Sequence, residues 1–409
     1  MSQVLTSESS EEILVARQPI YDSQLNVVAY ELLYRDNHIN QALFDNGEVA
    51  TSTVIINAFV NIGFDTLVGD KKAFVNIPKG LLVGGETASL PKENIVLEIL
   101  EDVEIDDSVV AATRKLAQQG YTIALDDFVF EEKWRPLVEL ASIIKIDLLA
   151  LEEQQLINEV DYLKSFDVEL LAEKVESKHE FELCQKLGFS YFQGYYFSKP
   201  QIVKGAKVPS SKLAVLRILS RVYDPDISFS ELEEILSQDV SLSYKLLRII
   251  NSAAFKTSKK VESLKQAIAI LGLNNLRNWV SLLTFSGIKD KPSELFKTSM
   301  VRAKMCELLA RQTNQSGDAN VYFMVGLFSN IDALLDQPLE VLTGKMPFSD
   351  EIIDALLNHK GSMGSVLNCV INYECGNWNY IPENYCKVSV LRGAYLEAVE
   401  WSADIYKTI

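Results

Sequence analysis

The sequence predicts a TIM-like (β/α) barrel with an antiparallel first strand, followed by a separate all-helical domain. Between residues 71 and 197 short apolar runs alternate with helical stretches, the rhythm of parallel strands joined by helices. The first two strand-like segments, ILVARQPI (residues 13–20) and NVVAYELLYR (26–35), are separated only by YDSQL. That gap is too short for a helical crossover, so the two form an antiparallel hairpin. Beyond residue 211 strand signals vanish. At 409 residues and 48% hydrophobic content, the chain has material for two full cores.

Residues 1–12, MSQVLTSESSEE, are polar and acidic, the reverse of a secretory leader, and are expected to form a disordered tail. The barrel is expected over residues 13–200. Its further strands are KKAFVNI (71–77), IVLEIL (95–100), TIALDDF (122–128), IIKIDLL (143–149), ELLAEKV (169–175) and YFQGYYF (191–197). Helical intervals between them are TSTVIINAFVNIGF (51–64), DSVVAATRKLAQQG (107–120), EKWRPLVELA (132–141), LEEQQLINEVDYLKS (151–165) and SKHEFELCQKLG (177–188). A turn toward Lys, Gly, Pro and Ser marks a linker over residues 201–211, and the helical domain follows over 212–409. There KLAVLRILSRVY opens as an amphipathic helix, DPDIS is a turn, and Ser230 with Glu233 is expected to form a capping box. Asn251 and Ser252 are expected to hold backbone groups at a helix end.

TIALDDF ends in two adjacent carboxylates, Asp126 and Asp127. Two acids at one strand end repel each other unless a cation, a proton or a hydrogen-bond network compensates them. The strand ends collect Glu31, Asn76, Glu98, Asp126, Asp127, Lys145, Glu173 and Gln193, on the edge where barrels of this kind place their active sites. Any one of these acids is more often a cap or a surface charge, but one at nearly every strand end is not. Hard oxygen donors suit Mg²⁺ or Mn²⁺ rather than zinc.

Composition narrows the rest. Residues 1–209 hold 34 Asp and Glu against 18 Lys and Arg, a balance of −16, whereas residues 210–409 hold 22 against 21. An acidic half argues against nucleic-acid binding. Five cysteines, Cys184, Cys306, Cys369, Cys375 and Cys386, contain no CxxC pair, so buried free thiols in a reduced, cytoplasmic protein are expected. No apolar stretch is long enough to span a bilayer.

Seven motifs in order give the first half its resemblance. ELLYR from Glu31, VNIP with Asn76, EILE with Glu98 and Glu101, DDFVFEEKW from Asp126, KID from Lys145 to Asp147, AEKVE with Glu173 and Glu176, and QGYYFSKP from Gln193 are similar to EALLR, VNLS, ExTE, DDFGTGYSS, KID, AEGVE and QGYLFSKP of the EAL domain. The EAL domain is a cyclic di-GMP phosphodiesterase fold. The resemblance implies that Glu31, Asn76, Glu98 and Asp126 hold one metal ion and that Asp127 with Glu173 completes a second. It implies that Lys145, supported by Gln193, orients the attacking water, that Arg35 and Gln18 contact the substrate, and that Glu101, Asp147 and Glu176 support the loops. Two departures stand out. Leu32 replaces the Ala of EAL, and Val129, Phe130 and Glu131 replace the Gly-Thr-Gly that shapes the second metal position and dimer contact of the family. Val and Phe resist the backbone angles glycine permits, so this loop must take another course, and Trp134 and Pro136 suggest that it packs down.

QDVSLSYKLLRIINSAAF (238–255) and LKQAIAILGLNNLRNWV (264–280) resemble the HDOD domain, an all-helical relative of the HD phosphohydrolases that lacks their metal site. Where a catalytic HD protein reads His-Asp, GLFSNID here places Ser329 and Asn330, so no cofactor is expected in this half. The whole chain thus resembles the two-domain EAL–HDOD proteins of bacterial signalling. The function placed first is a regulator in which a degenerate EAL-like domain binds metal or cyclic di-GMP and the HDOD half recruits a protein partner. The alternatives are an active Mg²⁺- or Mn²⁺-dependent phosphodiesterase yielding the linear dinucleotide, and a scaffold whose acids are satisfied by Lys145, Arg35 and Arg17. The sequence leaves homodimerisation open.

Overall fold

The computed structural model describes residues 13–36, 64–85, 87, 90–198, 210–252, 255, 260–288, 290–313, 317–381 and 386–409. The tail, most of the 51–64 helical interval and most of the linker lie outside them. The chain divides into two compact units, the first formed by the residues up to Phe197 with Glu374–Gly376 and the second by Ser198–Tyr373 with Asn377–Ile409.

In the first unit, eight strands close into a barrel in sequential order. They are β1 (Ile13–Asp22), β2 (Val27–Asp36), β3 (Lys72–Asn76), β4 (Ile95–Ile99), β5 (Thr122–Leu125), β6 (Ile143–Asp147), β7 (Glu169–Glu173) and β8 (Tyr191–Phe192). β1 runs antiparallel to both β2 and β8, and the remaining pairs are parallel. The helices of this unit are α1 (Phe64–Val68), α2 (Lys79–Gly84), α3 (Asp107–Gln118), α4 (Arg135–Val138), α5 (Glu153–Leu163) and α6 (Lys178–Leu187). Local chemistry sets their ends. Asp106 caps α3 by accepting from the amides of Ser108 and Val109, and Ser177 with Glu180 forms a capping box on α6.

Successive side chains on a strand point to opposite faces, and this period-two rule builds the barrel interior. Ile20, Ala29, Phe74, Val96, Ala124, Ile143 and Leu171 form one buried apolar cluster, with Tyr191 packed against it. Two residues along each chain from this floor stand Gln18, Glu31, Asn76, Glu98, Asp126, Lys145, Glu173 and Gln193. One polar layer therefore sits directly above one apolar layer. The alternate residues, such as Leu97, Ile99, Ile123, Ile144 and Leu170, are buried on the outer face of the sheet.

Several elements depart from the sequence expectation. YFQGYYF is strand only at Tyr191–Phe192, and Tyr195–Ser198 forms a 3-10 turn. Gly194 causes the break. With φ of +151° it lies against Val175, where a Cβ would meet the backbone N and O at 2.3 Å. Gln193 N donates to Ala172 O, and Val175 N donates to Gln193 O. TIALDDF leaves the sheet after Leu125, and EKWRPLVELA is a 3-10 turn followed by the four-residue α4. Lys79–Gly84, not singled out in the sequence, is helical.

Among its described residues the second unit holds helices joined by turns and no strand, with α7 (Ser210–Val222), α8 (Phe229–Gln238), α9 (Val240–Ile250), α10 (Leu264–Ser286), α11 (Ser293–Gln312), α12 (Ala319–Phe328), α13 (Ile331–Leu335), α14 (Leu339–Thr343), α15 (Asp350–Asn358), α16 (Gly361–Glu374) and α17 (Val388–Thr408). α7 begins inside the expected linker. The capping box of α8 is Ser228 with Glu231, not Ser230 with Glu233: Ser228 Oγ accepts from the Glu231 amide, and the Glu231 carboxylate accepts from the Ser228 amide. Gly272, at φ +69°, breaks α10. Asn251 caps α9 as expected, bridging Leu247 O to both backbone groups of Val261. Cys184, Cys306 and Cys369 are buried free thiols, but Cys375 is exposed and Cys386 partly so, a correction to the expectation that all five are buried. Among the described residues no helix is long and apolar enough to cross a membrane.

Gly194→Ala should destabilise the chain by about 1–3 kcal/mol through backbone strain and overpacking. Urea denaturation measures this, and an unchanged midpoint would show that the contact with Val175 relaxes without cost.

Candidate metal centre at the barrel mouth

Lys145 lies on β6 with no exposed surface, and its ammonium stands among four carboxylates. Nζ is 2.7 Å from Glu98, 2.7 Å from Asp126, 3.0 Å from Glu173 and 3.6 Å from Glu31. Each acid comes from a different strand or strand end, and parallel register sets Asn76 beside Glu98 and Asp147 beside Glu173. Glu31 departs from the strand-end expectation, since it lies in the middle of β2, opposite Gln18 and beside Phe74. β2 pairs with β3 only as far as Leu32, beyond which it pairs with β1. Gln193, just past β8, donates through one amide nitrogen to Gln18 Oε1 at 3.0 Å and Glu31 Oε2 at 2.8 Å.

Burial raises the carboxyl groups of Glu98 and Glu173, opposed by Lys145 and reinforced by neighbouring acids; Glu98 moves well above the usual range and Glu173 to about 8. Burial would lower Lys145, but Glu31, Glu98, Glu173 and Asp126 reverse this and hold it well above its ordinary value. One ammonium cannot neutralise four acids, and the remaining charge calls for protons or a further cation. Four buried acceptors, Asn76 Oδ1, Glu98 Oε2, Glu173 Oε2 and Gln193 Oε1, receive no hydrogen bond. Unpartnered oxygen acceptors on an acidic wall fit a divalent cation of the Mg²⁺ or Mn²⁺ type. Asp126, Asp127 and Glu173 also bring one oxygen each within 4.8 Å of one another.

Asp127 and Lys174 each hold a left-handed backbone, at φ +40° and +53°, a conformation side chains seldom adopt outside constrained sites. Burial, with the Asp126 charge beside it, raises the Asp127 carboxyl. Lys174 was not singled out in the sequence, yet its ammonium is 2.6 Å from Asp147 and 3.7 Å from Asp127. The available signal was its position, because it replaces the glycine of AEGVE. The loop after Asp127 packs down, as Trp134 and Pro136 suggested. Phe128 and Trp134 are buried edge to face, Phe130 packs on Tyr162 with centroids 3.9 Å apart, and the Phe130 amide donates to Glu159 at 2.6 Å.

Glu101 and Glu176 are exposed beyond the ends of β4 and β7. The Arg35 side chain lies outside the described residues. Arg17, offered as a counter-ion, stacks on Tyr30 at 4.4 Å and donates to Leu67 O. In the second unit, Ser329 and Asn330 accept from Arg302 at 2.9 and 2.7 Å, so a guanidinium binds the two side chains that replace His-Asp.

A carboxyl whose folded-state pKa lies above its unfolded value stabilises the fold at low pH, and that contribution disappears as pH rises through the folded value. Without metal, the thermal midpoint should therefore fall as pH rises from the ordinary carboxyl value of 4.5 to about 8, the folded-state value of Glu173, and level off above it. The stabilisation conferred by Mn²⁺ should grow over the same range as the ion displaces that proton. Glu173→Gln should flatten both trends, and a pH-independent response in the unaltered chain would refute the assignment.

Two family models match the sequence, the EAL domain over residues 52–200 and the HDOD domain over 208–336. Glu31, Gln18 and Arg35 precede the first match. The chain is 35% identical to YuxH of Bacillus subtilis over 404 residues, 96% of this chain and 98% of that one. It is 34% identical over 403 residues to the cyclic di-GMP phosphodiesterase CdgJ of Vibrio cholerae, covering 97% and 93% of the two chains. Among solved structures it is similar to the EAL enzyme Bd1971, at 21% identity and TM-score 0.38 over 46% of this chain and 62% of that one, less than two thirds of its length. It is also similar to YkuI of Bacillus subtilis, at 19% identity and TM-score 0.38 over 56% and 73%. With both domain models in sequence and relatives matched along nearly their whole length, the chain belongs to the EAL–HDOD family of two-domain proteins.

Proposed function

We propose that the barrel binds cyclic di-GMP together with Mg²⁺ or Mn²⁺ and hydrolyses one phosphodiester to give the linear dinucleotide, while the helical domain recruits a protein partner. The observation that carries this is the set of four buried, unpartnered oxygen acceptors around Lys145, beside the Asp126, Asp127 and Glu173 cluster. Divalent ions held by Glu31, Asn76, Glu98, Asp126, Asp127 and Glu173 would lower the pKa of a water and offset charge developing at phosphorus. The chain's own residues do the positioning. Lys145 draws Glu98, Asp126 and Glu173 toward one point, and Gln193 fixes Glu31 by bonding it to Gln18. The acidic wall repels a phosphate in the absence of cations, so substrate binding requires them. CdgJ, similar along nearly the full length, is named a cyclic di-GMP phosphodiesterase, which supports the same substrate class here.

A second reading is binding without turnover, and the loop of Val129, Phe130 and Glu131 favours it. Phe130 anchors that loop on Tyr162, and Val129 and Phe130 lack the backbone freedom of the glycines in the motif it resembles.

Incubation with cyclic di-GMP and Mn²⁺, followed by chromatography, should yield the linear dinucleotide, and Glu31→Ala should lower the rate about a hundredfold or more. No product from the unaltered chain, with calorimetric binding of the nucleotide in Ca²⁺, would replace hydrolysis by the second reading. No product and no binding would exclude both.

A further inference from the structure

We infer that Lys174 is a tethered cation that takes the place of a second divalent ion at the barrel mouth, so that the site binds one ion tightly and disfavours another. This rests on the metal-site reading above and concerns how that site is loaded. Six carboxylates converge at the mouth, and each lies within 3.7 Å of one of two ammonium groups. Lys145 serves Glu31, Glu98, Asp126 and Glu173; Lys174 serves Asp127 and Asp147. The other oxygen of Asp147 accepts from the Leu149 amide at 2.8 Å, so this carboxylate is engaged on both sides.

The backbone explains how a lysine reaches this position. On a regular strand Lys174 would face away from the side that Glu173 occupies. At φ +53° the chain turns instead, and Nζ comes to Asp147 and Asp127. The turn is held from both sides, since Leu148 N donates to Glu173 O and Val175 N to Gln193 O. The strain is thus imposed by the surrounding chain, and its product is a positive charge beside Asp127.

The acceptors without partners divide unevenly. Asn76 Oδ1 and Glu98 Oε2 belong to the Lys145 half alone, whereas Glu173 Oε2 serves both halves, since Glu173 contacts Lys145 and also lies within reach of Asp126 and Asp127. An ion shared by Asp126, Asp127 and Glu173 would meet the Lys145 ammonium that both halves share and, in addition, the Lys174 ammonium 3.7 Å from Asp127, so the extra positive charge falls on this position alone.

Mn²⁺ titration of the full chain without nucleotide, read by calorimetry and electron paramagnetic resonance, tests this. The unaltered chain should take up one ion tightly and give the hyperfine pattern of isolated Mn²⁺. Lys174→Gly and Lys174→Gln should bind a second ion about tenfold or more tightly than the unaltered chain does, with the spectrum of an exchange-coupled pair. Lys174→Arg should retain single loading. Two ions of equal affinity in the unaltered chain would overturn the inference, as would variants that load like it. A second ion gained by Lys174→Gly but not Lys174→Gln would assign the effect to the backbone and overturn it too. No Mn²⁺ uptake by the unaltered chain would instead sink the metal-site reading itself.

Discussion

The ammonium of Lys145 is the charge on which the barrel mouth depends. With an effective dielectric constant of about 20, each contact near 3 Å is worth about 5 kcal/mol of attraction. Against four such attractions stand six repulsions among the four acids, together with a desolvation cost of several kcal/mol for each buried ion. The cluster is therefore overcharged, which explains why burial drives Glu98 and Glu173 toward their protonated forms even with a lysine in contact. A protein that needed only a stable barrel would be served as well by an apolar layer at this level, as the floor immediately below demonstrates. The acids, amides and one lysine above that floor leave buried oxygens without partners, the feature on which the proposed cation site rests.

The layering also explains how much of the site was legible in the sequence. Once the strands are assigned, period two forces Glu31 to share a face with Ala29, Asn76 with Phe74, Glu98 with Val96 and Lys145 with Ile143. Convergence follows from closure of the barrel, without knowledge of any side-chain angle. Features that depend on departures from period two were not legible. Lys174 belongs at the mouth only because its backbone turns left-handed, and β8 ends early only because Gly194 crosses Val175. Helix starts failed for a related reason. Ser228 and Ser230 both precede a glutamate by three residues, so the motif alone fits either register, and the structure uses Ser228 with Glu231. Glu31 was recognisable from its motif, although its place in mid-strand required the register with Gln18 and Phe74.

In the loop following Asp127, apolar packing fixes the course of the chain. Phe128 N donates to Lys145 O, tying the start of the loop to the strand that carries the central ammonium. Phe130 and Trp134 then anchor it on Tyr162 and Phe128. Asp127 is held between these anchors and the adjacent strand ends, so it keeps its left-handed backbone although no glycine follows.

The two units answer the same electrostatic problem in opposite ways. In the helical unit Ser329 and Asn330 stand where a catalytic HD protein reads His-Asp, and Arg302 binds both side chains directly. In the barrel the acids persist, and the lysines neutralise only part of them. A tethered ammonium differs from a divalent ion in a way that matters for chemistry. It carries half the charge, cannot exchange its ligands, and does not acidify a bound water to the same extent. Replacing every cation by a basic side chain gives a binding domain, whereas replacing one of two keeps an exchangeable position for an ion. On the proposed reading, the barrel mouth, with Lys174 set against Asp127 and Asp147 and unpartnered oxygens left around Lys145, has the second arrangement.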